Sequence, residues 1–123
     1  MRIQEIFTGV SGECGMFRQG SWCTFIRLAG CNLRCKWCDT IKAQKRDSGK
    51  EMEISEVVDE IKRKGNNQIL LTGGEPLLQQ KEVIQLIDSF NYEYQFQIET
   101  NGSIFSNDLW HRVPAGRVCL VLL

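Results

Sequence analysis

Three cysteines, Cys31, Cys35 and Cys38, fall within eight residues in the pattern Cys-x3-Cys-x2-Cys. In a reducing compartment such clustering indicates metal binding or redox chemistry rather than a disulfide framework. Structural zinc almost always takes four protein ligands, whereas a four-iron cluster with one open iron needs only three cysteines. The pattern therefore favours a 4Fe-4S cluster whose fourth iron can bind a further ligand.

Zinc is the alternative metal, and Cys14, Cys23 or His111 would then have to supply the fourth ligand. Cys23 and Cys119 lie in apolar segments, which predicts that they are small buried residues. The single histidine lies in the polar segment 107–112, which predicts a surface turn. The role of Cys14, which lies on a Gly-rich loop, stays open.

Two further turns could do chemistry, because each places polar groups directly after a predicted strand. Residues 73–76 are Gly-Gly-Glu-Pro, and residues 99–102 are Glu-Thr-Asn-Gly. The cysteines themselves follow the β-favouring run 22–29. Taken alone, Gly-Gly-Glu-Pro is also typical of an ordinary strand-to-helix turn.

The elements that position these turns alternate between strand and helix. Period-two and apolar runs predict strands at 1–7, 22–29, 68–72, 94–99 and 117–123, with a Gly-rich loop or hairpin after the first. Helices are predicted at 54–64 and after residue 76, and a weak turn or helix at 107–112. This order is typical of an α/β fold with a parallel sheet. Loops at the C-terminal ends of such strands meet at one rim, so we expect the three turns to share it.

One face of the predicted sheet carries polar side chains. Arg27, Gln97 and Glu99 alternate with apolar residues, so they point inward if the apolar set packs on the helices. An inward charge without a partner is costly. Either a bound anionic ligand or an ion pair with Glu99 would satisfy Arg27.

The composition limits the function classes. A chain of 123 residues with 42% apolar and 24% charged content predicts one globular domain over residues 1–123. Fifteen basic and fifteen acidic side chains balance, which argues against a nucleic-acid or membrane-surface partner. The apolar runs are too short for a membrane span and the first residues do not resemble a signal peptide, so we expect a cytoplasmic protein.

The cysteine loop resembles that of radical S-adenosylmethionine (SAM) enzymes, with an aromatic residue, Trp37, before the last cysteine. Residues 72–76, Thr-Gly-Gly-Glu-Pro, resemble the motif with which that superfamily holds the methionyl group of SAM. The resemblance implies a partial, C-terminally truncated TIM-like barrel with parallel strands and the cluster loop after the first barrel strand. It also implies reductive cleavage of SAM to a 5′-deoxyadenosyl radical.

Longer stretches resemble the 7-carboxy-7-deazaguanine synthase family, from about residue 5 to residue 116. They are Glu5-Ile6-Phe7, Ser11-Gly12-Glu13, the run 25–40 around the cysteines, and residues 99–102. The resemblance implies a lyase that converts 6-carboxy-5,6,7,8-tetrahydropterin to 7-carboxy-7-deazaguanine with loss of ammonia, in queuosine biosynthesis. It implies a 4Fe-4S cluster, SAM and Mg2+ as cofactors, a flavodoxin or ferredoxin as electron donor, and a possible homodimer.

The same resemblance assigns a role to individual residues. Cys31, Cys35 and Cys38 would ligate the cluster, and Thr40 would give an oxygen to Mg2+. The contacts with the cluster and SAM would come from Trp37, Cys38, Asp39, Gly73, Gly74, Glu75 and Glu99. The substrate would be bound by Val10, Ser11, Gly12, Glu13, Arg27 and Thr72, with Arg27 on the pterin carboxylate.

Two departures separate the chain from the family pattern. It has Ser11-Gly12-Glu13-Cys14 where the family typically has Gln-Gly-Glu-Gly, and 123 residues where a complete barrel needs roughly 200 or more. Two other functions stay open. A glycyl-radical-enzyme activase should present a basic or apolar docking surface, which the sequence does not indicate. An inactive truncated module would only hold a cluster.

Overall fold

The computed structural model describes residues 1–12, 15–113 and 116–123. Six strands form one sheet in the order β3-β1-β2-β4-β5-β6. Their bounds are Arg2–Val10 (β1), Trp22–Leu28 (β2), Lys50–Glu51 (β3), Gln68–Gly73 (β4), Gln95–Thr100 (β5) and Val118–Leu122 (β6). The prediction of a parallel sheet is confirmed for β2, β4, β5 and β6, whereas β1 is antiparallel to both β2 and β3.

The antiparallel pair of β1 and β2 confirms the predicted hairpin after the first strand, and chain length explains it. Residues 11–21 connect β1 to β2, and a parallel connection needs a crossover of about a dozen residues or more. The two-residue strand β3 was not predicted, because so short a segment carries no periodicity.

The helices are α1 (Ile54–Lys64), α2 (Gln80–Asp88) and α3 (Asn107–Trp110). The predicted bounds of α1 are confirmed: Glu53 and Glu56 form a capping box at its start, and Gly65 ends it at φ 69°. Short 3-10 turns cover Ile41–Gln44, Arg46–Ser48 and Pro76–Gln79. No helix in the described ranges is both long and apolar enough to cross a membrane.

The main core lies between the sheet and α1 and α2. Alternate residues of the central strands, such as Ile26, Leu71 and Ile98, pack there against Val57 and Ile87, all fully buried. The opposite face has a smaller apolar cluster of Phe17, Cys23 and Leu70, with Met16 and Phe25 against it. That face is therefore left with polar groups toward the C-terminal ends of the strands.

The sheet is open, with β3 and β6 at its two edges. Each of the parallel strands β2, β4, β5 and β6 lies beside the one that precedes it. A barrel follows this sequential order, whereas a doubly wound sheet reverses its order at a switch point. The order agrees with the predicted partial barrel, while barrel closure stays a prediction.

Candidate functional site: a cleft at the cysteine loop

A cleft of about 890 Å³ lies at the C-terminal ends of β2, β4 and β5. Because the cysteine loop and both polar turns line it, the prediction of a shared rim is confirmed. Of the predicted site residues, the cleft brings together Arg27, Cys31, Cys35, Trp37, Cys38, Asp39, Thr40, Thr72, Gly73, Gly74 and Glu99. It also contains Glu5 and Asn101, to which the sequence analysis assigned no role. The one sequence signal for a role of these two residues was that each lies in a stretch that resembles the family.

The described residues of the predicted substrate loop do not line this cleft. Val10, Ser11 and Gly12 are absent from its described lining, and their contact with the substrate stays a prediction. Ser11 exchanges backbone hydrogen bonds with Ser21 and Gly20, both at 2.8 Å, and so extends the hairpin at the N-terminal end of β2. The cleft lies at the other end of that strand. Glu13 and Cys14 lie outside the described residues.

Arg27 is held at the cleft by two protein partners. Its Nε donates to Glu5 Oε1 at 2.7 Å, and its Nη1 donates to Thr40 Oγ1 at 2.9 Å. The guanidinium also lies 5.6 Å from the centre of the Phe7 ring, within cation–π range. The charge of Arg27 is therefore balanced by Glu5 on the neighbouring strand, and the alternative of an ion pair with Glu99 is wrong.

The surroundings of Thr40 fit Mg2+ poorly. Its hydroxyl accepts the Arg27 hydrogen bond and donates to Asp39 Oδ1 at 2.8 Å. A divalent cation on this oxygen would have to displace the guanidinium or tolerate a like charge at close range. We therefore derive no step through Mg2+, and its binding stays a prediction.

The three cysteines offer the right donor atoms without forming a finished metal site. Cys31 and Cys38 are half-buried and Cys35 is exposed, and all three line the cleft. The described residues contain no group of three or more Cys, His, Asp or Glu side chains positioned to hold a metal ion. Soft thiolates suit an iron–sulfur cluster, and metal sites rarely exist preformed before the metal binds. The donor set therefore fits the cluster, and the loop has to draw the thiols together as the cluster binds.

Cys23 does not belong to this donor set. It is fully buried in β2, as predicted, and burial together with the negative charge of Glu99 raises the pKa of its thiol to about 11. A thiol that stays protonated is a poor metal ligand, which removes Cys23 as a fourth zinc ligand. Cys119 was predicted to be buried, but it is only half-buried because β6 is an edge strand.

Gly73 and Gly74 let the turn after β4 pack directly against the end of β2. A Cβ on Gly74 would lie 2.0 Å from the Gly30 carbonyl oxygen, and one on Gly73, at φ 119°, would lie 2.2 Å from the Leu28 oxygen. Two backbone hydrogen bonds join the segments, from Gly74 to Leu28 at 3.0 Å and from Glu75 to Gly30 at 2.8 Å. The glycines thus fix the start of the cysteine loop.

Glu75 links this turn to the one after β5. Its carboxylate is fully buried: Oε1 accepts from the Leu77 amide at 2.9 Å and the Thr100 hydroxyl at 2.8 Å, and Oε2 accepts from the Asn101 amide at 2.8 Å. Three donors satisfy a buried charge well. Oε2 keeps one acceptor site, but the side chain is fully buried, and the predicted contact of Glu75 with SAM stays a prediction.

The cysteine loop carries a basic patch that the balanced total charge conceals. Residues 31–46 contain five basic side chains and one acidic one, Asp39. The basic residues are Arg34, Lys36, Lys42, Lys45 and Arg46, all exposed and, among the described residues, without an ion pair. The balanced total charge gave no sign of this basic segment, and its use as a docking surface stays a prediction.

Comparison with known families defines the class of protein. Residues 17–113, which include the cysteines and both polar turns, match the family described as "4Fe-4S single cluster domain". The chain belongs to this family. The match agrees with the preference for a four-iron cluster over zinc.

More specific similarity is to enzymes named 7-carboxy-7-deazaguanine synthase. The chain is 42% identical over 103 residues to the one from Hyperthermus butylicus, 44% over 110 residues to that of Methanospirillum hungatei JF-1, and 40% over 106 residues to that of Clostridium acetobutylicum. These alignments cover 83%, 89% and 84% of this chain and 43%, 45% and 47% of the relatives. The chain thus spans about half the length of the curated relatives it matches.

Among solved structures, the crystal structure of QueE from Escherichia coli superposes with a TM-score of 0.64 at 24% identity. The superposition covers 85% of this chain and 54% of that one. The two proteins share the fold of the aligned part, a mixed sheet with helices on one face.

Proposed function

We propose that this chain forms the part of a radical SAM enzyme that binds the cluster and SAM, and that the enzyme converts 6-carboxy-5,6,7,8-tetrahydropterin to 7-carboxy-7-deazaguanine with loss of ammonia. The observation that carries the proposal is the single cleft in which the cysteine loop, Arg27 and two polar turns meet. The similarity to 7-carboxy-7-deazaguanine synthases supports this choice of substrate.

Arg27 is the residue we assign to the carboxylate of the substrate. Its Nε and Nη1 are occupied by Glu5 and Thr40, while Nη2 has no acceptor among the described residues. A guanidinium that is already oriented loses little entropy when it binds a carboxylate. The side chain is only 20% exposed, so water and salt screen this interaction less than on an open surface.

The remaining residues of the cleft would hold the cofactors. When bound, the cluster and SAM would supply the one-electron reductive cleavage of a carbon–sulfur bond. On the protein side, the three cysteines donate ligands, and the 85% exposed Trp37 side chain can lie against the adenine ring. The turn at Gly73 and Gly74 lines the cleft and can receive the methionyl group.

The basic patch is the surface we assign to the electron donor, a flavodoxin or ferredoxin. Its residues lie in the cysteine loop and in the segment that directly follows it, so a carrier bound there would be close to the cluster. Charge complementarity favours an acidic carrier and predicts that its association weakens as ionic strength rises.

Anaerobic reconstitution tests the proposal. The chain is loaded with iron and sulfide, then supplied with SAM, a reductant and 6-carboxytetrahydropterin, with and without Mg2+. We expect 7-carboxy-7-deazaguanine together with 5′-deoxyadenosine. 5′-Deoxyadenosine without deazapurine would contradict the substrate assignment, and a loaded cluster that yields neither compound would leave a cluster-binding module.

The variant Arg27→Lys separates the substrate site from the cofactor site. Lysine keeps the charge but loses the planar fork, so we expect a roughly 10-fold rise in the KM for the pterin, with 5′-deoxyadenosine formation retained. Arg63→Lys, on the exposed face of α1, is the matched control. An unchanged KM in Arg27→Lys would remove Arg27 from the substrate site.

A further inference from the structure

Asn101, in the turn after β5, brings its side-chain amide to the first cysteine of the loop. Asn101 Nδ2 lies 3.9 Å from Cys31 Sγ and donates to Asn32 Oδ1 at 3.1 Å. A sulfur acceptor is larger than oxygen, so its hydrogen bonds are correspondingly longer. The amide of Asn101 is thus the side-chain donor that faces this thiol.

The orientation of this amide is determined by its other end. Asn101 Oδ1 accepts from the Ser103 backbone amide at 2.9 Å and from the Ser103 hydroxyl at 2.6 Å. A backbone N–H can only donate, so the oxygen of Asn101 has to face Ser103. The NH2 group then has to face Cys31.

The backbone of Asn101 is fixed as well. Its amide donates to Glu75 Oε2 at 2.8 Å, and that carboxylate is fully buried. Glu75 itself is anchored by Leu77 and Thr100 at 2.9 and 2.8 Å. The backbone of Asn101 therefore forms a fixed base, from which its side chain reaches Cys31 and Asn32 at the start of the cysteine loop.

We propose that Asn101 is a positioning residue that donates a hydrogen bond to the sulfur of Cys31 and raises the reduction potential of the cluster. This inference rests on the proposed cluster site. Reduction adds one electron and increases the negative charge on the sulfur atoms, so an N–H donor stabilises the reduced state more than the oxidised one. Asn101 would also hold the Cys31 thiolate at the rim while the loop closes around the cluster.

Asn101→Ala tests this inference without a change of charge. We expect the midpoint potential of the reconstituted cluster to become more negative. The expected effect is a roughly tenfold lower ratio of reduced to oxidised cluster at a fixed potential, which corresponds to a shift of about 59 mV for a one-electron couple. Asn91→Ala is the matched control, because Asn91 lies in the turn between α2 and β5 and its side chain bonds to Glu93 of that turn. An Asn101→Ala cluster that is fully loaded and has the wild-type potential would overturn the inference.

A measurement on the unsubstituted protein covers the case in which Asn101→Ala assembles no cluster. With asparagine 15N-labelled in the side-chain amide, pulsed EPR of the reduced cluster should detect a weak 15N coupling that persists in Asn32→Ala. A loaded cluster with no such coupling would refute the hydrogen bond. Failure of the unsubstituted chain to incorporate iron and sulfide is a distinct result, since it would refute the cluster site itself and the inference that depends on it.

Discussion

At the scale of single residues, Glu5 orients the charged guanidinium of Arg27 beside the cleft. Glu5 lies opposite Arg27 in the antiparallel β1–β2 pair, where facing side chains approach closely. The 2.7 Å contact orients the guanidinium, and the Phe7 ring supports it from the same strand. This partner could not be identified from periodicity, because the pairing of Glu5 with Arg27 depends on the register of the hairpin.

Cys23 provides a prediction for the pH dependence of stability. Burial and the charge of Glu99 raise the pKa of its thiol from 9.0 to about 11. The unfolded chain loses this proton first, so the contribution to the free energy of unfolding is fully present below pH 9 and is lost as the pH rises toward 11. We expect urea unfolding of the cluster-free chain to show a steeper loss of stability over this range than Cys23→Ala shows.

The control for this titration is Cys35→Ala, which removes an exposed thiol from the same chain. It should keep the steep loss of stability above pH 9. Equal pH profiles for the unsubstituted chain and Cys23→Ala would show that ionisation of Cys23 does not determine the loss.

At the scale of elements, the turn after β4 is constrained by close packing. In Gly74→Ala the new Cβ would lie 2.0 Å from the Gly30 oxygen and 2.8 Å from the Ala43 oxygen. Both are backbone atoms, so the turn has to move away from the cysteine loop. We expect a loss of about 1–3 kcal/mol in the free energy of unfolding, measured by chemical denaturation.

Gly12→Ala is the matched control for this substitution. A Cβ on Gly12 meets no atom of the described residues within 4 Å, and its φ is not positive. Its effect should stay below about 0.5 kcal/mol. If the two variants were equally stable, the close approach of the two turns would not be the reason for glycine at position 74.

The regular elements could be predicted from sequence far better than the contacts between them. The strands at 22–29 and 94–99 and the helix at 54–64 follow from periodicity and from Gly65, which are local signals. The burial of Glu75 was not predicted, because it depends on donors that come from the turn after the next strand. The position of Ser11 relative to the cleft could not be predicted for a similar reason, since hairpin register decides at which end of β2 it lies.

At the scale of the whole molecule, β6 is an open edge with exposed apolar residues. Leu122 and Leu123 are 73% and 66% exposed. Unpaired backbone groups beside apolar side chains favour pairing with another strand. We expect the 123-residue chain to self-associate with rising concentration in sedimentation velocity, and Leu122→Lys to shift it toward monomer.

Phe105→Lys separates the edge from general surface hydrophobicity. Phe105 is 71% exposed but lies in the loop between β5 and α3, away from the strand edge. This variant should associate like the unsubstituted chain. A chain that stays monomeric at every concentration would contradict the role of β6.

The buried carboxylate of Glu75 also has a consequence for protein engineering. Because it accepts hydrogen bonds from Thr100 and Asn101, residues 73–76 and 99–102 form one exchangeable cassette. A chimera that receives only one of the two turns, from a protein that lacks the Glu75–Thr100 pair, would break this buried hydrogen bond and leave either the carboxylate or the hydroxyl with a partner missing. A buried polar group left unpaired costs about 1–3 kcal/mol. Grafts that aim to alter the specificity of the cleft should therefore transplant both turns together.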